Sequence, residues 1–246
     1  MSNTALLFDL SPIMYRSHYG RDKHSELQVA YRSVKYIMNL ISKYESKYFA
    51  VALDCEDRDK LKRKQIYPEY KANRTKERPK EITEQLPIIL EFLDLMGIKY
   101  IKHESSEADD ILYSLSKLFS DNKIKNLTCT GDKDLIQIKN KYASVAKIMK
   151  DSVKVLTKKD FPVDPKYFIQ YQSILGDSVD NIPGCKGIGK VGAEELISEY
   201  KTLEELYKNL ENIKPRHSKL LIENRKEVFL SRWLCRLHNK LDVGKI

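Results

Sequence analysis

The sequence predicts an α/β fold: a mostly parallel central sheet with helices on both faces, followed by a helical region. Three observations carry this. Over the first 157 residues, apolar runs of strand length alternate with longer segments of helical periodicity. Three of those runs end at or just before an aspartate, namely Asp9, Asp54 and Asp132. Beyond residue 157 the strand-like runs stop and helical spacing takes over. Strands that alternate with helices pair in parallel, because each crossover carries a helix back across the sheet.

Ala5-Leu6-Leu7-Phe8 is a short buried strand closing on Asp9. Val29, Ser33, Tyr36, Ile37, Leu40, Ile41 and Tyr44 follow with helical spacing. Tyr48 to Leu53 is a second buried strand, ending at Asp54. A basic stretch with little apolar patterning comes next. Ile82, Leu86, Ile89, Leu90, Leu93 and Met96 mark an amphipathic helix stopped by Gly97. Ile98 to Ile101 is a strand. The acidic run Ser105-Ser106-Glu107-Ala108-Asp109-Asp110 opens a helix whose buried face carries Ile111, Leu112, Leu115, Leu118 and Phe119. Its plainest reading is a capping box, Ser106-x-x-Asp109, with acids favoured by the helix dipole. Leu127 to Thr130 is a strand running into Gly131-Asp132-Lys133-Asp134, and 145–148 with 153–156 form a closing pair. Helical segments then cover 165–175, 192–200, 203–210 and 218–237, the third opened by the capping box Thr202-x-x-Glu205. The domains read as an α/β core over 1–157, with a basic segment at about 55–80, and a helical region over 158–246 packed on it.

Composition sets the class. The chain has 246 residues, 41% of them hydrophobic, enough for a folded core. No run reaches the ~18 apolar residues of a membrane span. No basic region precedes Ala5-Leu6-Leu7-Phe8, so no secretory signal is expected. Cys55, Cys129, Cys185 and Cys235 are widely spaced, which favours reduced thiols and a cytoplasmic setting. The net charge is +9, and Arg58 to Lys80 holds ten Lys or Arg against three acids. A body nearly neutral outside one basic segment points to a polyanion bound there.

Two glycine motifs invite a nucleotide-binding reading, and both fail. Gly187-Ile188-Gly189-Lys190-Val191-Gly192 has the G-x-G-x-x-G spacing, but it follows the turn Asn181-Ile182-Pro183-Gly184 and no strand. Gly184 to Lys190 resembles a P-loop, but Val191 stands where Ser or Thr must meet magnesium. The better reading is a helix-hairpin-helix turn. Its glycines let a phosphate backbone approach exposed N–H groups, and Lys186 and Lys190 add charge. Contacts of that kind hold DNA without reading its sequence.

The acids form a set. Asp9, Asp54, Glu107, Asp109, Asp110, Asp132, Asp134, Asp177 and Asp180 lie at strand ends, at a helix start or in tight turns, with no histidine among them. In parallel sheets, sites form beyond the carboxyl ends of the strands. Oxygen-only ligation selects Mg2+ or Mn2+, and so many carboxylates in one crevice call for more than one ion. Two ions about 4 Å apart suit phosphodiester hydrolysis.

These residues, in this order, resemble the 5′-nuclease domain of bacterial DNA polymerase I and its relatives, the phage 5′-3′ exonucleases and flap endonucleases. The resemblance runs from about Leu6 to Val243. It is carried by Leu6-Leu7-Phe8-Asp9 with Tyr15-Arg16, and by Leu53-Asp54 with Arg63 and Tyr70-Lys71-Ala72-Asn73-Arg74. Glu107-Ala108-Asp109-Asp110, Thr130 to Leu135, Gly176 to Gly184 and Lys186-Gly187-Ile188-Gly189 complete it. It implies a PIN-like fold and two metal clusters in one active site. Asp9, Asp54, Glu107, Asp109, Asp110 and Asp132 match the first-metal acids; Asp134, Asp177 and Asp180 match the second. Lys71 and Arg74 match a catalytic basic pair at the base of a basic helical arch, which the resemblance places at about 55–80 with Arg63 and its neighbours lining it, and Arg16, Arg63, Lys64 and Tyr70 fall among expected DNA contacts. Lys186, Gly187, Gly189 and Lys190 match the duplex-gripping hairpin, where the family often holds K+. Two departures stand out: Leu10-Ser11-Pro12 where the family has Gly after the first Asp, and Lys190-Val191-Gly192-Ala193 where it commonly has Glu-Lys-Thr-Ala.

The implied function is a metal-dependent 5′→3′ exonuclease and structure-specific 5′-flap endonuclease of replication or repair. It would act on DNA with a 5′ flap, nick or free 5′ end, as a monomer, with no membrane partner, either standing alone or as a polymerase's nuclease part. The alternatives are a ribonuclease of the same fold that removes RNA primers from RNA/DNA hybrids, and a non-catalytic binder of branched DNA.

Overall fold

The computed structural model describes residues 4–20, 26–74, 78–238 and 241–243. Lys76 and Glu77 of the basic stretch lie outside the described residues. The chain divides into two compact units. One comprises Met1–Lys62, Lys76–Leu156 and Leu237–Ile246; the other comprises Arg63–Thr75 and Thr157–Arg236. The basic stretch is thus shared between them, and Leu237 and His238 group with the first unit.

The first unit opens with β1 (Ala5–Asp9), α1 (Leu10–His18), α2 (Gln28–Tyr44) and β2 (Phe49–Leu53). The five-residue α3 (Lys62–Ile66) spans the boundary between units. Then follow α4 (Lys80–Leu95), β3 (Tyr100–Lys102), α5 (Ala108–Asp121), β4 (Asn126–Thr130), β5 (Ala143–Ile148) and β6 (Val153–Val155). The strands make one six-stranded sheet in the order β3-β2-β1-β4-β5-β6. All pairings are parallel except that of β6 on β5. Phe8 is in register with Val51 on one side and Cys129 on the other, so β1, β2 and β4 finish side by side.

Strand alternation sends Leu6 and Phe8 into a core shared with Ile13 and Met14 of α1, Ile37 and Leu40 of α2, and Ile82, Ile89 and Leu93 of α4. Leu7 points to the other face, where α5 packs against β1, β2 and β4. As expected, Gly97 stops α4 two residues past its end, taking φ +67° while the Ile98 N–H bonds back to the Leu93 carbonyl at 2.8 Å. The helix α1 was not foreseen, since Leu10-Ser11-Pro12 reads as a loop. Leu10, Ile13, Met14 and Ser17 are its buried positions, a helical spacing confined to two turns.

The second unit holds α6 (Phe168–Leu175), α7 (Lys190–Tyr200), α8 (Leu203–Lys208), α9 (Pro215–Glu223) and α10 (Arg225–Cys235). α6 packs against α7 and α10. Thr202 caps α8 as expected, its hydroxyl accepting the Glu205 N–H at 3.2 Å. Tyr70, Ile182, Leu234 and Cys235 form an apolar cluster edged by Tyr67, Leu230 and Trp233. All four cysteines are free and buried. Among the described residues, no helix is long and apolar enough to cross a membrane.

Candidate active site

In the first unit, β1, β2 and β4 deliver three acids to the carboxyl edge of the sheet. The Thr130 hydroxyl, at the end of β4, ties two of them together. It donates to Asp9 Oδ2 at 2.9 Å and accepts the Asp132 N–H at 2.9 Å. Asp132 Oδ1 in turn accepts the Asp134 N–H at 2.8 Å, which tightens the turn that follows. Asp54 is fixed from two sides: its Oδ2 accepts the Ser11 hydroxyl at 2.7 Å, and its Oδ1 accepts the Ala108 N–H at 3.2 Å.

The electrostatics mark these acids as neighbours. Burial pushes the Asp9 carboxyl well above the usual carboxylate range, and the charges of Asp54 and Asp132 push it the same way. The Thr130 hydrogen bond opposes them. A buried carboxyl pressed by two further acids is a standing demand for positive charge.

The acidic helix differs from its expected start. α5 begins at Ala108 with Glu107 as N-cap, in extended backbone, and no side-chain capping bond is made. The capping box Ser106-x-x-Asp109 therefore does not form. The first free N–H of α5 is met by Asp54 instead, from the end of β2. Glu107 itself stands just outside the helix. Glu107 and Asp110 are buried, at 6% and 2% exposure, whereas Asp109 is half-exposed. Asp110 Oδ1 accepts the His238 N–H at 2.8 Å, so the returning C-terminal segment holds it.

In the second unit, Asp177 and Asp180 sit on a loop closed at both ends by glycine. The backbone of Asp177 and Ile182 is doubly bonded, at 3.0 and 2.8 Å. Gly176 and Gly184 take φ +74° and +65°, and a Cβ on Gly184 would stand 2.5 Å from the Gly176 nitrogen. Only glycines allow the two backbones to touch here. Asp177 Oδ1 accepts the N–H groups of Val179 and Asp180, at 2.8 and 3.4 Å.

Residues 69–74 are laced onto this loop. The Lys71 N–H reaches the Asp180 carbonyl at 2.9 Å, and Asn181 donates to the Glu69 carbonyl at 2.8 Å. Asn73 donates to the Ser178 carbonyl at 3.2 Å. Lys71 and Asn181 both adopt left-handed backbone, at φ +58° and +56°. For Lys71 that conformation costs about 1–2 kcal/mol. The lacing holds it there, and the result is a compact ionic group: Lys71 Nζ lies 3.5 Å from Asp180 Oδ2, and Arg74 binds Asp180 Oδ1.

The remaining expected site residues divide. Lys186, Gly187 and Gly189 on the turn before α7, and Lys190 at its first position, are exposed, and the turn is pinned by Ile188, which is buried. Lys64 is half-exposed. Arg16 is half-buried, its guanidinium over the Tyr36 ring and bonded to the Lys150 carbonyl. Arg63 and Tyr70 do not line an arch. Arg63 is 5% exposed and donates to the carbonyls of Leu234 and Arg236, at 2.9 and 2.8 Å, where α10 ends. Tyr70 is buried in the cluster with Ile182 and Leu234. The described part of the basic stretch forms a single 3-10 turn at Arg58–Lys60, the short α3 and turns. The supporting residues Ser11 and Thr130 were missed. Ser11 had a signal, since it lies in the departure after Asp9; Thr130 had none beyond its place at a strand end.

Among the described residues, no three acids, histidines or cysteines gather tightly enough to hold an ion unaided. The donor chemistry still fits a hard cation. Asp9, Asp54 and Asp132 offer only oxygens, and their mutual repulsion favours one. Mg2+ keeps several waters and binds through one or two carboxylates plus substrate phosphates, so a closed cage is not required.

Comparisons with known proteins converge. Residues 4–167 match the family profile described as 5′-3′ exonuclease, N-terminal resolvase-like domain, and residues 163–245 match 5′-3′ exonuclease, C-terminal SAM fold. The 5′-3′ exonuclease of Aquifex aeolicus is 32% identical over 98% of this chain and 83% of its own length. That of Bacillus subtilis is 31% identical over 99% and 86%. DNA polymerase I of Caldicellulosiruptor bescii is 33% identical over 94% of this chain, which spans only 28% of that protein. In three dimensions, a zinc-bound T5 5′-exonuclease superposes with a TM-score of 0.78 at 20% identity, covering 94% of this chain and 89% of its own. The catalytic core of Rad2 in complex with DNA substrate superposes at 0.64 and 17%, covering 100% and 82%. At those identities the structural likeness is one of fold.

Proposed function

The chain is a nuclease of the 5′-3′ exonuclease family, and from that premise we propose that it hydrolyses phosphodiester bonds in DNA near 5′ ends, nicks and 5′-flap junctions, with Mg2+ or Mn2+ as cofactor. The observation that carries this is the meeting of Asp9, Asp54 and Asp132 at three adjacent strand ends, where Asp54 and Asp132 both raise the proton affinity of the buried Asp9. T5 D15 flap endonuclease, a fold relative, has been seen with DNA and metal ions, which supports both the substrate and the cofactor.

Asp9, Asp54 and Asp132 would hold a divalent cation, with Glu107, Asp109, Asp110 and Asp134 around them. When bound, such an ion neutralises charge on the scissile phosphate and favours ionised water as nucleophile. The chain's own residues prepare for this. Thr130 and Ser11 fix the carboxylates in one orientation before any ligand arrives, so little reorganisation is left for the reaction. Asp177 and Asp180 would serve a further ion. Lys71 and Arg74, held by Asp180, would stabilise phosphate charge. The hairpin Lys186–Lys190 would hold the duplex backbone, and K+ there belongs to the same proposal.

The test is an end-labelled 5′-flap duplex incubated with the full chain, with Mg2+ or with EDTA. Cleavage near the junction in Mg2+ alone is expected, releasing the flap. A product pattern unchanged by EDTA, or cleavage only of single-stranded RNA, overturns the proposal.

A further inference from the structure

The turn before α7 is walled on one side by α9, and two glycines show how closely. Gly187 takes φ +92°, and a Cβ there would stand 3.1 Å from Leu220 Cδ1. Gly192 lies in the first turn of α7, and a Cβ there would stand 3.3 Å from His217 Cε1 and 3.5 Å from its Nε2. His217 and Leu220 are three residues apart on α9, so one helix face supplies both contacts. Cys185 adds a third, its thiol 3.5 Å from the Leu220 carbonyl. The space a side chain at position 192 would fill is thus taken by Ile188, which lies between the exposed Lys186 and Lys190 in sequence and whose Cγ2 stands 3.1 Å away, and by the half-buried His217 imidazole.

The cations of this stretch are not equivalent. Lys214 is paired with Glu195 at 3.2 Å, and Lys219 with Glu223 at 3.9 Å. Arg216 lies between them, exposed, and no carboxylate among the described residues pairs with it. An exposed guanidinium with no internal partner, next to a glycine turn bearing two lysines, fits an extended polyanion better than a single small anion. Duplex DNA presents a charge about every 1.7 Å along its axis, so a grip on it improves with each further cation along its path.

We propose that α9 is a second wall of the duplex-binding hairpin, with Arg216 and His217 contacting the phosphate backbone of duplex DNA beside Lys186 and Lys190. This rests on the reading of the chain as a DNA nuclease. Arg216 would contribute charge, and His217 a ring N–H donor to a phosphate oxygen.

The test measures binding of the full chain to a short blunt fluorescent duplex in Ca2+, as a function of salt. Replacing Arg216 with Ala should raise Kd about threefold to tenfold and flatten the slope of log K against log salt by about 0.9, the loss of one phosphate contact. R216E should weaken binding further. H217A should weaken it about threefold, the loss of one hydrogen bond to a phosphate oxygen. Unchanged melting temperatures show that the variants fold. Wild-type slopes in R216A and R216E overturn the inference. If Lys186→Ala and Lys190→Ala flatten the slope in the same experiment, the hairpin reading stands and α9 alone falls. If the wild type has no affinity for duplex, both fall.

Discussion

Replacing Arg63 with alanine should damage the fold of the second unit and leave the charge contacts to DNA intact. The Arg63 guanidinium donates from Nε to the Leu234 carbonyl at 2.9 Å and from its terminal nitrogen to the Arg236 carbonyl at 2.8 Å. These carbonyls belong to the end of α10, where no helical N–H follows to satisfy them and the helix dipole favours a cation. A hydrogen bond from a charged donor contributes about 1.5–3 kcal/mol, and the two together about 3–5 kcal/mol once coupling is allowed for. That is a large share of the ~5–15 kcal/mol that holds a typical domain. The assay is urea unfolding followed by tryptophan fluorescence. Trp233 is the single tryptophan and packs beside Tyr70 and Leu234, so it reports this unit. The midpoint should fall steeply in R63A. R63K should recover less than half the loss, because an ammonium cannot reproduce the fork. DNA affinity, measured below the melting temperature, should keep its wild-type salt slope. A midpoint shift worth less than ~1 kcal/mol, together with a flatter salt slope, would refute the reasoning and return Arg63 to the DNA surface.

Three further predictions test the site. Asp9 has its folded-state proton affinity raised by burial and by Asp54 and Asp132. A carboxyl whose pKa rises on folding favours the folded state at low pH, and that contribution is lost as pH climbs from the ordinary carboxylate range through the raised value. In EDTA at neutral pH, D9N should therefore melt above the wild type while losing nuclease activity; a lower melting temperature would show that the acids do not repel one another. Gly184→Ala should destabilise the 176–184 loop by at least the ~1–2 kcal/mol of a left-handed L-residue, since its Cβ also meets the Gly176 nitrogen at 2.5 Å. Calorimetry showing an unchanged melting temperature would contradict that geometry. Lys71→Ala should lower turnover about 10²- to 10³-fold, the usual cost of losing a positioned donor to developing charge, with Kd for flap DNA changed far less. Equal losses in turnover and affinity would make Lys71 a binding residue only.

What the sequence made legible, and what it hid, follows from the range of the interactions. The parallel sheet was readable because each strand is a run of adjacent apolar residues, and Asp9 and Asp54 stood out because each follows such a run directly. The stop at Gly97 and the cap at Thr202 are likewise set within four residues. The start of α5 misled because Ser106 and Asp109 satisfy every local rule for a capping box. The competing acceptor, Asp54, is 54 residues upstream of Ala108 and comes into range only when β2 joins the sheet. The glycine turn before α7 was legible for a different reason: Gly187 takes φ +92°, a conformation the backbone itself reserves for glycine.

The basic stretch shows the limit most sharply. Arg63 and Lys186 carry the same charge, and nothing within ten residues of either says which is buried. Lys186 stays at the surface because the turn that carries it is anchored by Ile188, a neighbour in sequence. Arg63 is buried because the carbonyls it meets belong to residues 234 and 236, more than 170 positions away. Net charge over a window therefore overestimates the surface available to a polyanion whenever a guanidinium closes a helix end. It also underestimates that surface where a cation is isolated between paired lysines, as Arg216 is. Charge counted by sequence locates a binding face only after each cation has been set against the carbonyls and carboxylates that the fold brings to it.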